Sequence, residues 1–417
     1  VRSQLEGSQA VAKAVACCRP EVICAYPITP QTHIVEALSR MVASGELAPC
    51  EYVNVESEFA AMSVAIGASA TGARAYTATA SQGLLYMAEA LFNASGLGLP
   101  IVMTVANRAI GAPINIWNDH SDSMALRDCG WIQLYAADNQ EAADMHVLAY
   151  RLAEQVSLPV MVCMDGFVLT HASEPLEVPE QEQVDALLPP FTPRQVLDPA
   201  DPITIGAMVG PEAFTEVRYL AHAKQMEALD AIPVLSRELQ EALGRESGGL
   251  LGAHRCEDAE TIVITLGSVF GTLADVVDEL REQDLAVGAL SLKSFRPFPL
   301  AELRAVLGQA RRVIVLERAF AVGIGGIVSA DVRAALTGLP VELHTVVAGL
   351  GGRPMTRRSL RALLADALAG ELEELRFLDL RHDLVEAELE RSRHGERPGP
   401  HAEGILRDLG IVAGGPV

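Results

Sequence analysis

The stretch AYPITPQT, Ala25 to Thr32, decides how this chain is read. It closes the apolar run EVICA, which reads as a short buried strand, and it carries Pro27 and Pro30. Each proline fixes φ and lacks an amide donor, so the backbone between them can neither extend a sheet nor freely start a helix. Ile28 and Thr29 are thereby held in a rigid loop at the carboxyl end of a strand. Open α/β sheets bind their ligands at that place. Taken alone, the stretch reads first as a plain strand-to-helix turn, and it is the segments around it that change this reading.

Working outward, residues 7–17 and 31–44 have the composition and apolar spacing of helices, and EYVNVE (51–56) is the next strand. Ser57 then suits an N-cap, with Glu58 in the first helical turn. A carboxylate there is explained by the helix dipole as readily as by function. The segment ARAYTATASQGLLYMAEAL reads as strand, tight turn and helix, with Ser81, Gln82 and Gly83 at the turn. A glycine in such a turn serves either the backbone or a ligand that approaches it closely. The strand PIVMTVA leads to Arg108 at the head of a long loop, NRAIGAPINIWNDHSDSMALRD. An arginine at a strand end can grip a substrate carboxylate in a bidentate fork, or form a structural ion pair. The run Asn118 to Asp122 has no second ligand set at metal spacing, so no metal is expected there.

Strands at 131–136 and 159–164 around a helix near 138–156 complete an alternation that predicts a mostly parallel sheet with helices on both faces. Residues 172–203 are rich in Pro, Glu and Gln and read as a linker or extended excursion, and 211–247 as helical. A second α/β unit follows, with strands in TIVITLGS, AVGALSL, RRVIVLE and GLPVELHTVVAG and helices at 270–283 and 357–369. Its GIGG turn, Gly323 to Gly326, is only weakly like a nucleotide loop. The division expected is 1–250, 251–370 and a charged extension, 371–417.

Composition excludes several classes. A chain of 417 residues, half of them hydrophobic, has material for two cores. A net charge of −22, with Lys13, Lys224 and Lys293 as the only lysines, excludes a surface built to neutralise nucleic-acid phosphates. The seven cysteines are scattered without a C-x-x-C, as befits reduced thiols and not a disulfide frame or an iron–sulfur cradle. No signal-like opening and no uninterrupted apolar run of spanning length is seen, so a soluble, cytoplasmic protein is expected.

Four ordered segments, YPITPQT, ESEFAA, TATASQGL and NRAIGAPINIWNDHSD, together with SFRPFP and GLGGRPMT, resemble the alpha subunits of 2-oxoacid:acceptor oxidoreductases, the pyruvate:ferredoxin oxidoreductase family. The resemblance extends to about residue 370. It implies a thiamine-diphosphate pyrimidine-binding domain followed by a transketolase C-terminal-like α/β domain. It also implies that Glu58 hydrogen-bonds the aminopyrimidine N1′, favouring the tautomer that deprotonates the thiazolium carbon. Thr29 matches the residue whose hydroxyl meets the substrate, and Arg108 the one that binds the 2-oxoacid carboxylate. The reaction implied is oxidative decarboxylation to acyl-CoA and CO₂.

The chain has no GDG motif, and MDGF at 164–167 lacks the leading glycine. The diphosphate and its Mg²⁺ are therefore expected on a beta subunit. Clusters of the 4Fe–4S type are expected on partner subunits, with gamma and ferredoxin-like delta chains, a flavin/NAD subunit as a further option, and CoA as co-substrate. Two other readings compete. One is the beta subunit of a lipoamide-linked 2-oxoacid dehydrogenase, which lacks YPITP and SQGL in this form. The other is a non-catalytic scaffold resting on the GIGG turn, which would need none of Thr29, Glu58 and Arg108. Pyruvate is the default substrate, with phenylglyoxylate and the branched 2-oxoisovalerate open.

Overall fold

The computed structural model describes residues 2–395 and 399–411. Val22–Ala25 sits inside a seven-stranded sheet whose spatial order is 294–296, 132–135, 160–165, 102–107, 75–79, 22–25, 51–54. Every pairing in it is parallel except that of Ser294–Arg296, which runs antiparallel to Ile132–Tyr135. The strands Ala75–Thr79, Val102–Asn107 and Val160–Asp165 are buried along their whole length. That is why they read as continuous apolar runs and not as alternations: helices cover both faces.

On one face, helices Gly7–Cys17, Thr32–Ser44, Asn139–Val156 and Phe214–Leu243 share a core with Ile23, Tyr76, Val102 and Val160. On the other, the small residues of helix Glu58–Ala70 let it lie close to the sheet, with Ala61, Met62 and Ala65 buried. Ser57 caps this helix as expected, its Oγ accepting from the Ala60 amide at 3.2 Å.

The second sheet has six strands, in the order 375–377, 342–347, 312–317, 261–265, 287–292, 251–254. The four strands legible in the sequence form its middle. Leu251–His254 adds an antiparallel edge, and Leu375–Phe377 a parallel one. Ile262, Leu290, Val313 and Val315 share one apolar cluster with Met103 and Cys163 of the first sheet and with Trp131, just ahead of its strand Ile132–Tyr135. The two sheets thus meet over a continuous core, and Ser294–Arg296 crosses from the second unit to extend the first sheet.

The segment read as a linker is partly ordered. Ser173–Glu177 pairs antiparallel with Arg2–Glu6, and Gln181–Leu187 is a helix. Only one residue of Ser173–Glu177, Leu176, is buried, so the strand carries almost no apolar pattern.

Candidate active site

Because the first sheet is parallel, the residues that follow its strands collect along one edge. Thr29 follows Val22–Ala25, Glu58 opens the helix after Glu51–Asn54, Ser81 follows Ala75–Thr79, and Arg108 follows Val102–Asn107. Asp165 ends the neighbouring strand.

The proline loop is held from behind. Gln31 is fully buried, and its Nε2 donates to the carbonyls of Tyr26 (3.1 Å) and Ala78 (2.7 Å). Pro30 is buried against Gly166, where an added Cβ would come within 2.6 Å of Pro30 Cγ. Thr29 itself is exposed on the loop.

Arg108 is brought directly to Thr29. Its Nη1 donates to the Thr29 carbonyl at 3.0 Å and its Nε to the Asn115 carbonyl at 3.1 Å. These contacts use two of the five guanidinium N–H groups, and Nη2 has no partner among the described residues. Burial lowers its pKa from the usual value, and the Asp122 carboxylate opposes that.

Glu58 is 8% exposed, and its carboxyl makes no hydrogen bond or ion pair among the described residues. Beside it lies Gly83, where a Cβ would come within 2.6 Å of both Glu58 Oε1 and Thr79 Oγ1. Thr79 Oγ1 is also buried without a partner. Buried polar groups are normally satisfied, so an unpartnered carboxyl and hydroxyl beside a side-chain-free position fit a polar heterocycle that brings its own donors and acceptors. The aminopyrimidine of thiamine diphosphate has that character.

Glu58 makes no hydrogen bond to Thr29 or Arg108; the Ser81 turn and the Arg108 strand end are joined by the buried carboxylate of Asp122, which the sequence reading weighed only as part of a metal run. Asp122 Oδ2 accepts from the amides of Ser81 (2.9 Å) and Arg108 (3.0 Å), and Oδ1 from Asn107 Nδ2 and the Ser123 amide, both at 2.8 Å. Burial pushes this carboxyl up to about 6, with those four donors pulling it back. Ser81 takes a positive φ of 52° at the point where Asp122 holds it, a conformation uncommon for a residue with a side chain. Its hydroxyl donates to the Ala109 carbonyl, at 2.5 Å.

Asp165 plays a comparable part between the two sheets. It accepts from His120 Nε2 and Arg318 Nη1, each at 2.7 Å, and from the amide and hydroxyl of Ser268. Burial would raise its carboxyl, but Arg318 and His120 outweigh that and hold it well below the ordinary carboxylate range. The GLGGRP segment meets the loop that follows Arg108 as well: Asn115 Nδ2 donates to the Gly351 carbonyl at 3.1 Å, and the Gly351 amide to Asp119 Oδ2 at 3.0 Å. Asp119 and His120 of the NDHSD run thus tie this loop to the second unit and to Asp165. The one sequence signal for Asp165 was an acid closing the apolar strand VMVCM.

The GIGG turn does not offer a phosphate site. Glu317 occupies the start of helix Val328–Leu336, its carboxylate accepting from the amides of Ile327 (2.7 Å), Val328 (2.8 Å) and Ser329 (3.2 Å). An anion already fills the place a phosphate would take.

Among the described residues no helix is long and apolar enough to cross a membrane. Residues 13–237 match the family described as pyruvate flavodoxin/ferredoxin oxidoreductase, thiamine diphosphate-binding, and residues 259–360 match pyruvate:ferredoxin oxidoreductase core domain II. The chain is 47% identical over 390 residues to pyruvate synthase subunit PorA of Methanosarcina barkeri, covering 91% of this chain and 97% of that one. It is 40% identical to ketoisovalerate oxidoreductase subunit VorA of Pyrococcus horikoshii, covering 88% and 93%. A solved structure, 2-oxoglutarate:ferredoxin oxidoreductase from Magnetococcus marinus, shares the fold with a TM-score of 0.68 at 22% identity, over 89% of this chain and 65% of that one. Sequence relatives near half identity over almost their whole length, and two family domains in the order the fold displays, make this chain a member of the pyruvate:ferredoxin oxidoreductase family, an alpha subunit.

Proposed function

We propose that the chain is the alpha subunit of a thiamine-diphosphate-dependent oxidoreductase that decarboxylates a 2-oxoacid to acyl-CoA and CO₂, with pyruvate as the substrate. The observation that carries this is the pairing of Arg108 with the Thr29 loop on the same sheet edge as the unpartnered carboxyl of Glu58. Identity to pyruvate synthase subunits, at 47% and 46% for two methanogen proteins against 40% for the ketoisovalerate subunit, supports pyruvate over a branched acid.

The cofactor supplies an electron sink for the bond to the departing carboxylate. This chain's residues do the holding. Glu58 would hydrogen-bond the pyrimidine N1′ and hold or return a proton there. Gly83 leaves room for the ring. Nη1 and Nη2 of Arg108 retain free N–H groups for the substrate carboxylate, and the Thr29 hydroxyl hydrogen-bonds the substrate from the adjoining loop. Because the carboxylate charge vanishes as CO₂ leaves, the guanidinium's hold is on the substrate and is released with the product.

The diphosphate and Mg²⁺ are assigned to a beta subunit, and the 4Fe–4S clusters to further partner chains that take the electrons, gamma and delta subunits among them. The test is 2-oxoacid- and CoA-dependent viologen reduction by the assembled complex with pyruvate, 2-oxoisovalerate and phenylglyoxylate, beside a Glu58→Gln complex. Pyruvate is expected to give the highest kcat/KM, and Glu58→Gln to lose about 10²- to 10⁴-fold in kcat with assembly intact. Full activity in Glu58→Gln would overturn the assignment of Glu58, and turnover only with lipoamide would overturn the reaction.

A further inference from the structure

Beside the proline loop, four residues on from Thr29, three side chains capable of ligating a metal converge from distant parts of the chain: Glu6, His33 and His171. Glu6 ends the strand Arg2–Glu6, His33 lies in the first turn of helix Thr32–Ser44, and His171 follows strand Val160–Asp165. One ligand atom of each lies within 4.8 Å of those of the other two. His33 Nδ1 is 2.6 Å from Glu6 Oε1, and the two imidazole centroids are 4.7 Å apart at 36°. All three are partly exposed, so an ion and its water can enter from solvent.

The frame that holds them is built from backbone. The Gly7 and Ser8 amides donate to the carbonyls of Ala172 and Thr170, both at 3.0 Å, and Arg2–Glu6 pairs with Ser173–Glu177. Glu6 and His171 are thus fixed to each other from both sides. Thr170 Oγ1 accepts from the Phe167 amide and lies 2.8 Å from His171 Nδ1. A hydrogen bond to the second ring nitrogen is what orients a metal-bound imidazole and sets its tautomer.

We propose that Glu6, His33 and His171 form a binding site for a divalent transition metal of the zinc class, with two imidazoles and one carboxylate as ligands and water completing the shell. Two histidines and one carboxylate are a ligand set zinc takes with a position left open. At bonds of about 2.0–2.2 Å the ligand atoms of a tetrahedral site stand roughly 3.3 Å apart, so side-chain rotation alone closes the cluster on the ion. An unmetallated Glu6–His33 ion pair with His171 merely packed against it is the competing state, and the titration separates the two.

The full chain, stripped of metal with chelator, is titrated with Co²⁺ as the spectroscopic probe and then with Zn²⁺ as competitor. One equivalent of Co²⁺ with visible d–d absorption, displaced by Zn²⁺, is expected. His33→Gln and His171→Gln should each weaken it about tenfold or more, with far-UV circular dichroism unchanged. Cys17→Ser, which removes a half-buried thiol outside the cluster, should leave that equivalent in place. Should one histidine variant fail to fold, Glu6→Gln takes its place in the comparison. Absence of a stoichiometric Co²⁺ band in the unsubstituted chain, or a band unchanged in the folded variants, overturns the proposal.

Discussion

Arg108 donates from Nη1 to the main-chain oxygen of Thr29 at 3.0 Å, joining two loops whose strands are not neighbours. Strand Ala75–Thr79 lies between them, so the contact spans the turn that carries Ser81 and Gly83. A lysine at 108 has three donors on one nitrogen and cannot serve Thr29, Asn115 and a carboxylate in the same directions. Arg108→Lys is expected to raise KM for the 2-oxoacid and lower kcat/KM by roughly 10- to 100-fold, the value of one or two hydrogen bonds to a charged group. Steady-state dye reduction over a range of pyruvate concentrations measures it. An unchanged KM would remove Arg108 from substrate binding.

Gly83→Ala bears on both activity and stability. The added Cβ would stand 2.6 Å from Glu58 Oε1 and Thr79 Oγ1. Glu58 Oε1 is the end of a flexible side chain and can turn away, but Thr79 Oγ1 sits on a stiff, fully buried β-branched side chain that has to shift. The fold therefore loses about 1–3 kcal/mol, and the proposed cofactor contact is lost with the turned carboxyl. A melting temperature lowered by several degrees, with cofactor affinity weakened at least about tenfold, is the expected pair of results. A melting temperature that falls while cofactor affinity is kept would show that the backbone, and not Glu58, yields.

Asp122 gives the reaction an acid limb. Its ionised carboxylate accepts from four N–H groups, and protonation turns one acceptor into a donor facing donors. With its carboxyl pushed up to about 6, kcat/KM is expected to fall as pH drops through that value. The sign for stability is opposite. The folded value lies above the ordinary 3.8, so the native state binds the proton first, and this group's contribution to stability rises as pH falls from about 6 toward 3.8. Activity lost where Asp122 does not unfold the protein is the mark of a positioning role. Asp122→Asn should lack the limb and run about tenfold lower throughout, because an amide sets a donor among donors. A limb that persists in Asp122→Asn belongs to another group.

What the sequence made legible is what local rules govern. The Pro27/Pro30 loop, the Ser57 cap and the apolar strands are set by residues close in the chain, and they placed Thr29, Glu58 and Arg108 on one edge. The pairing of Arg2–Glu6 with Ser173–Glu177 was not legible, because an exposed two-stranded ribbon has no buried face to imprint on its sequence. Ser294–Arg296 was hidden for a different reason: three residues that leave one sheet to join another carry no periodicity. The roles of Asp122, weighed only as part of a metal run, and of Asp165 were not legible, because a buried, fully bonded aspartate and a solvated one are the same letter. Their partners lie as far off as Arg318, 153 residues away in the chain.

That distance makes Asp165 the place where the two sheets can be uncoupled. Asp165 is buried, and its carboxylate joins the end of the first sheet to Ser268 and Arg318 of the second and to His120 of the loop that Arg108 heads. Removing the charge leaves Arg318, itself 8% exposed, without its counter-ion, and such a loss costs about 3–5 kcal/mol. Asp165→Asn should therefore lower the melting temperature at neutral pH and also raise KM, since His120 no longer anchors the loop that carries Arg108. The pH dependence fixes the cause. A carboxyl held below its unfolded value of 3.8 contributes its full stability above that pH and loses it as pH falls toward the folded value. The difference in unfolding free energy between the two proteins should then be constant from pH 7 to about 4 and shrink below it. A difference that shrinks already between pH 7 and 5 would show that a group other than Asp165 titrates.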